Sequence, residues 1–183
     1  ESKHYQNAGN IYSRNTFILN EDEMKQMEGL VEQAMKDGAV GLSTGLIYIP
    51  GTYSKTEEVV RLAKMAAKYN GVYASHIRSE GDSVVQAIEE ALHIGREAKI
   101  PVQVSHFKLS GQQNWGRSKE TLPMIVKARE EGLEVTIDQY PYTASSTSLS
   151  VILPDWALAD GQDSIKARLA NATVRNKIKN QML

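Results

Sequence analysis

Two histidines stand at the ends of strand-like segments and could together hold a metal ion. His76 ends residues 71–76 (Gly-Val-Tyr-Ala-Ser-His) and His106 ends residues 101–106 (Pro-Val-Gln-Val-Ser-His). Each histidine has the same parity as the apolar residues two and four positions before it, so strand alternation places both rings on the apolar face. Their separation fits one strand-helix-strand unit, which makes the segments neighbours in a parallel sheet. Neutral imidazole is a common metal ligand, so the pattern predicts a metal site.

The composition narrows the classes of protein that need to be considered. The chain has 183 residues, 41% hydrophobic and 23% charged, with a net charge of −1, which is typical of a globular protein with one core. No basic domain or long basic run is present, so we expect no nucleic-acid or membrane partner. Cysteine is absent, which excludes disulfides and thiolate ligands within the chain. No apolar run approaches a membrane span and the N-terminus resembles no signal peptide, so we expect a cytoplasmic protein.

Helix and strand patterns alternate along the chain and must position these histidines. Asn20 and Glu23 form a capping-box pattern at the start of a helix that ends near Gly38. Further helices are predicted at 56–69, from residues 81–83 to the second histidine strand, and from a cap at Thr121, just before Pro123, to about Gly132. The predicted strands are 39–43, 71–76, 101–106 and 133–138. Beyond residue 150 the alternation stops, and residues 164–183 indicate two helices.

Four such units suit either a doubly wound sheet or part of an eight-stranded barrel. A doubly wound nucleotide-binding sheet carries a glycine fingerprint after a strand, and none is present here. The barrel places function at the carboxyl ends of its strands, where His76, His106 and Asp138 lie. The parallel α/β class is therefore predicted, with the barrel as the favoured form.

Several ordered motifs resemble one enzyme family. They are residues 38–51 (GAVGLSTGLIYIPG), 73–81 (YASHIRSEG), 104–108 (VSHFK), 114–117 (NWGR) and 138–144 (DQYPYTA). Together they are similar to the N-acyl-D-amino-acid deacylases, or D-aminoacylases, of the amidohydrolase superfamily. The resemblance implies a TIM-type (β/α)8 barrel, with this chain covering about strands three to six. It implies three regions: a poorly matched segment 1–20, a partial barrel 21–150 and the start of a helical insertion 151–183.

The resemblance also implies a chemistry and roles for individual residues. Enzymes of this family use zinc to hydrolyse an N-acyl-D-amino acid to a carboxylate and a D-amino acid. His76 and His106 match the family's zinc ligands, with one or two Zn²⁺ ions expected in a complete protein. Four further residues match positions that would bind the substrate: Tyr48, Arg78, Lys108 and Tyr140. A guanidinium group suits the substrate's α-carboxylate because it offers a bidentate fork.

Parts of the family pattern are missing from these 183 residues. The family's barrel begins with a His-x-His strand, adds a cysteine ligand and carries its general base on the eighth strand. None of these is present, so we expect an internal fragment that is inactive alone, with the general base outside it. Asp138 could be considered as the base, but the favoured interpretation is a carboxylate hydrogen-bonded in the barrel mouth. A sheet cut at both sides would also self-associate through its exposed edges.

Two other interpretations stay open at this stage. The chain could be a non-catalytic α/β module whose histidines are structural. It could instead belong to an enzyme of another amidohydrolase activity, such as hydrolysis of a cyclic amide or of N-acyl-D-glutamate.

Overall fold

Four parallel strands alternate with four longer helices in the computed structural model, which describes residues 19–182. The strands are β1 (Gly41–Gly45), β2 (Val72–His76), β3 (Val102–Val104) and β4 (Val135–Ile137). The helices that precede them are α1 (Glu21–Lys36), α2 (Thr56–Ala67), α3 (Val84–Ala98) and α4 (Ser118–Glu130). The alternation predicted from the sequence is confirmed, although each strand is shorter than or shifted from its predicted bounds.

The strands lie side by side in the same order as in the chain. β1 pairs with β2, β2 with β3 and β3 with β4, all parallel. A doubly wound sheet reverses its strand order at a switch point, whereas a barrel keeps sequential order. The sheet therefore has the arrangement of consecutive strands in a (β/α) barrel.

The core lies between one face of the sheet and the helices. Tyr73 of β2 and Val102 and Val104 of β3 are almost fully buried, and they face Ile88 and Leu92 among the buried residues of α3. On the opposite face of β2, Val72 is 40% exposed. The helices thus cover one side of the sheet, and burial of these large side chains supplies the main stabilisation.

The first helix starts as predicted, but α4 does not. The Asn20 side chain accepts hydrogen bonds from Asp22 N and Glu23 N, and Glu23 bonds back to Asn20, which completes the capping box. The predicted cap at Thr121 is wrong: α4 begins at Ser118, and Thr121 is a buried residue inside it. Pro123 removes only its own N–H from the helix, so the turn before it still forms, with Thr121 N bonded to Arg117 O.

Short helices follow the sheet. They are α5 (Asp155–Leu158), α6 (Gly161–Ala170) and α7 (Ala172–Lys179). The last two confirm the predicted pair of helices, with an earlier start. Most of the predicted segment 1–20, like Leu183, lies outside the described residues. Among residues 19–182, no helix is both long and apolar enough to cross a membrane.

Candidate metal centre

The two predicted ligands meet at the carboxyl edge of the sheet. His76 is the last residue of β2, and His106 lies two residues beyond β3. Their ring centroids are 4.2 Å apart, with the planes inclined by 70°. Both side chains are largely buried, at 18% and 17% exposure. The predicted convergence of the two imidazoles is therefore confirmed.

The prediction that strand alternation places both rings on the same, apolar face is wrong for His76. In the register, Tyr73 pairs with Val102 and Ser75 with Val104, so these four side chains share the buried, helix-facing side. His76 belongs to the other side, whereas strand alternation would place His106 with Val104. The hydroxyls on the buried face of β2 obscure the pattern, because Tyr73 and Ser75 bond to each other and to Thr44. Only a turn after β3 can bring His106 to His76.

That turn is held by Asp138. His106 has a φ of 40°, in the left-handed region that non-glycine residues rarely adopt. Its backbone N–H donates to Asp138 Oδ1 at 2.5 Å, and Gln103 Nε2 donates to Oδ2 at 2.7 Å. The next amide, Phe107 N–H, donates to the backbone oxygen of Asp138. Asp138 is thus a carboxylate hydrogen-bonded in the mouth of the sheet, as the favoured interpretation of this residue predicts.

Glu80 completes a cluster that sequence reasoning missed. Its side chain is 10% exposed, and its Oε1 lies 3.0 Å from His106 Nδ1 and 3.7 Å from His76 Nε2. Ligand atoms of the three residues all lie within 4.8 Å of one another. Glu80 lies in the loop after β2, where the alternation of side chains along a strand cannot predict which way a side chain points. The one feature of the sequence that could have indicated Glu80 is its position four residues after His76, a predicted ligand.

Lys108 gives this cluster a positive charge of its own. Its Nζ lies 2.5 Å from Glu80 Oε1 and 3.0 Å from His106 Nδ1. A protonated His106 Nδ1 donates to Glu80, whereas an unprotonated one accepts from Lys108. The ring of Tyr140 stacks on His106 at 5.7 Å and lies 5.1 Å from Lys108 Nζ. Two of the predicted substrate residues, Lys108 and Tyr140, therefore lie beside the predicted ligands.

The chemistry of the cluster fits a divalent metal ion. His76 Nε2 is buried and has no hydrogen-bond partner among the described residues, although burying a ring nitrogen unpaired is costly. Burial lowers the pKa of His76, which favours the neutral ring that metals bind. Two imidazoles and one carboxylate are a donor set that zinc accepts. An ion there would satisfy the unpaired nitrogen and would compete with Lys108 for Glu80.

Tyr48 brings a fourth ring to the cluster from the loop after β1. Its ring centroid lies 4.8 Å from that of His76, and its hydroxyl is 3.0 Å from Thr147 Oγ1. Tyr48 also lines a cavity of about 380 Å³ between this loop and the C-terminal helices. The aliphatic lining residues are Ile47, Ile49, Val151, Leu153, Leu158 and Ile165. Tyr48 is shared between this cavity and the ring contact with His76, and neither histidine lines the cavity.

Arg78, the fourth predicted substrate residue, has its hydrogen bonds within the protein. Its Nε and Nη2 donate to the two carboxylate oxygens of Glu90, both at 2.8 Å. Nη1 donates to Thr52 O at 2.8 Å and Nη2 to Ser54 O at 3.1 Å. Its predicted contact with a substrate carboxylate stays a prediction, and the structure gives the guanidinium a different set of partners.

Comparison with known proteins finds relatives that match this chain over part of their length. No protein-family model matches the chain. A D-aminoacylase of Alcaligenes xylosoxydans xylosoxydans is 45% identical over 129 residues, which are 70% of this chain and 26% of that protein. This chain is homologous to one part of the D-aminoacylases. The predicted resemblance is confirmed.

Solved structures of D-aminoacylase relatives agree in sequence and fold. The N-acyl-D-glutamate deacylase of Bordetella bronchiseptica, in complex with zinc and a phosphonate inhibitor, is 45% identical. The alignment has a TM-score of 0.66 and covers 68% of this chain and 26% of that one. A D-aminoacylase crystal structure gives a TM-score of 0.70 at 35% identity, covering 89% of this chain and 37% of that one.

The match to these D-aminoacylase relatives is partial. The chain spans about a quarter to two fifths of the length of the relatives it matches. Its four strands are a segment of an amidohydrolase barrel, which confirms the predicted fold class.

Proposed function

We propose that this chain supplies two zinc ligands, His76 and His106, to an N-acyl-D-amino-acid deacylase. The observation that carries the proposal is the convergence of the two rings, 4.2 Å apart, with a buried ring nitrogen that has no hydrogen-bond partner among the described residues. It is supported by 45% identity to a D-aminoacylase and to a deacylase whose structure contains zinc.

The residues of the cluster would have different roles in such a site. His76 and His106 would hold the metal, with Glu80 close enough to add a ligand or to anchor His106. When bound, zinc supplies a Lewis acid that polarises an amide carbonyl and makes water more acidic. Lys108 keeps a positive charge within 3.0 Å of His106 Nδ1, where an anionic group of the substrate would be attracted.

The surroundings of the cluster suit an N-acyl amino acid. Lys108 and the phenols of Tyr48 and Tyr140 offer hydrogen-bond donors for the α-carboxylate. The aliphatic cavity beside Tyr48 offers room for an apolar acyl group or side chain. A substrate with one anionic end and one apolar end would therefore use both sides of the loop that carries Tyr48.

The rest of the reaction would depend on chain outside these residues. The family pattern that the sequence resembles includes a His-x-His strand, a cysteine ligand and a general base, which these 183 residues lack. We propose that a longer polypeptide containing this chain provides them, and that the chain alone does not turn over substrate.

A second candidate is a deacylase specialised for acidic D-amino acids. It is favoured by the matching 45% identity to N-acyl-D-glutamate deacylase. An N-acyl-D-aspartate deacylase of Alcaligenes xylosoxydans xylosoxydans is 42% identical over 128 residues.

The substrate class can be tested by assaying the complete polypeptide. The panel consists of N-acetyl-D-methionine, N-acetyl-D-glutamate, N-acetyl-D-aspartate and their L forms, before and after zinc is removed with a chelator. The main proposal predicts zinc-dependent turnover of D forms, with the apolar substrate preferred. Preference for acidic D forms would select the second candidate, and turnover of L forms alone or of none would contradict both.

A further inference from the structure

Arg78 lies between the end of β2, helix α3 and the loop that carries Tyr48. It is two residues beyond His76, and its side chain is 28% exposed. Four hydrogen bonds use the guanidinium, and all of them go to groups of this chain. They use four of the five N–H donors and involve both bidentate edges of the group, Nε with Nη2 and Nη1 with Nη2, so neither edge is free. A substrate carboxylate could therefore bind the guanidinium in a bidentate way only after some of these hydrogen bonds were broken.

Glu90 fixes the guanidinium in place. The two groups form a bidentate pair, with both N–O distances at 2.8 Å, and the Glu90 side chain is only 11% exposed. Thr56, the first residue of α2, also donates to Glu90 Oε1 at 2.8 Å. Bidentate, charge-assisted pairs of this kind give geometric specificity as well as strength. Arg78 is thereby bonded to α3 directly, and to α2 through Glu90.

The other side of the guanidinium holds the backbone of the Tyr48 loop. The Thr52 and Ser54 carbonyls that accept from Arg78 lie at the end of a short 3-10 turn, Gly51–Tyr53. The backbone of Thr52 bonds in turn to Tyr48 O at 2.9 Å. The position of Tyr48 beside His76 is therefore linked to Arg78 through two successive hydrogen bonds.

We infer that Arg78 and Glu90 form a clip that positions Tyr48, and that Arg78 is a positioning residue with no direct contact to substrate. The clip sets the distance between the Tyr48 ring and the His76 ring through its hydrogen bonds to the backbone of the loop. The inference rests on the proposed function for its kinetic consequences, but the effect on the loop itself does not depend on any activity.

Substrates with and without a carboxylate separate the clip from direct recognition. The variants are Arg78→Gln and Glu90→Gln in the complete polypeptide, assayed on an N-acetyl-D-amino acid and on the corresponding N-acetyl-D-amino acid amide. The Tyr48 phenol can donate to an amide oxygen as well as to a carboxylate oxygen. The clip therefore predicts that either variant raises KM about tenfold for both substrates, the size expected for a coupled pair, with zinc content unchanged. It also predicts that the double variant is no worse than either single variant. Loss confined to Arg78→Gln and to the substrate with the carboxylate would overturn the inference.

Hydrogen exchange of the loop gives a readout that needs no substrate. Both variants should speed amide exchange at residues 46–55, while strand amides keep their wild-type rates. Arg96→Gln is a matched control, because Arg96 forms ion pairs with Glu89 and Glu131 on the outer side of α3. Unchanged exchange in the loop of both variants would refute the clip. Absence of deacylase turnover in the wild type would instead refute the proposed function and leave this exchange test valid.

Discussion

His76 and His106 meet with ring centroids 4.2 Å apart, although strand alternation assigns them to opposite faces of the sheet. The chain turns after Val104, where β3 ends and His106 adopts a left-handed backbone conformation, and this turn brings the His106 ring to the side of His76. Strand β2 delivers its histidine by alternation, and β3 delivers its histidine by a turn. The position of His106, the second predicted ligand, therefore depends on the groups that hold that turn.

Asp138 should control the metal affinity of the site through this turn. Asp138→Ala removes the acceptor of the His106 N–H and should lower zinc affinity about tenfold or more, the usual effect of losing a group that orients a ligand. Asp138→Asn keeps an oxygen at the same place and should retain most of the affinity. Competition with a chromophoric chelator measures both. Equal, wild-type affinity in the two variants would show that the turn holds without Asp138.

Glu80 and Lys108 should have opposite effects on metal binding. Glu80→Gln removes the negative charge that neutralises Lys108, so an unpaired ammonium would repel an incoming cation, and affinity should fall about tenfold. Lys108→Met removes that ammonium and should leave metal affinity at or above the wild-type level. The same titration applies to both. A larger loss in Lys108→Met than in Glu80→Gln would contradict this reading of the charges.

The alternation of helices and strands could be predicted because apolar periodicity and capping residues are local signals. The side of the sheet on which each histidine lies could not be predicted, because Tyr73 and Ser75 carry hydroxyls on the buried face of β2 and so do not mark that face as apolar. Glu80 was missed because loop positions have no periodicity. The contact of Arg78 with substrate stays a prediction, and its bonds to Glu90 could not be predicted because they depend on how the helix that carries this residue packs. Domain bounds, cytoplasmic location and self-association stay predictions.

Gly95 should be required where α3 crosses β3. A Cβ there would collide with Val102 Cγ2, so Gly95→Ala should lower the free energy of unfolding by about 1–3 kcal/mol. Gly29→Ala is the control: Gly29 lies within α1 with nothing within 4 Å of a Cβ, and the change should stabilise by about 0.5–1 kcal/mol. Urea denaturation measures both. Equal effects of the two changes would contradict the close packing of α3 on β3.

Glu90 should contribute to the loss of stability in acid. Burial acts to raise the pKa of this carboxyl, but hydrogen bonds from Arg78 and Thr56 outweigh it and hold the pKa below its ordinary value of 4.5. The unfolded chain then binds more protons, so this contribution is lost as the pH falls below about 4.5 and through the folded-state pKa. Glu90→Gln should flatten the fall in unfolding free energy as the pH drops below about 4.5. A slope identical to that of the wild type would contradict the depressed pKa.

Zinc stoichiometry of histidine variants tests directly whether His76 and His106 hold a zinc ion. His76→Ala, His106→Ala and the control His93→Ala, which alters a histidine on α3 away from the cluster, are purified as the complete polypeptide and analysed for bound zinc. If His76 and His106 are zinc ligands, the first two variants lose the most tightly held zinc ion while the control keeps the wild-type content. Wild-type zinc content in both His76→Ala and His106→Ala would contradict it.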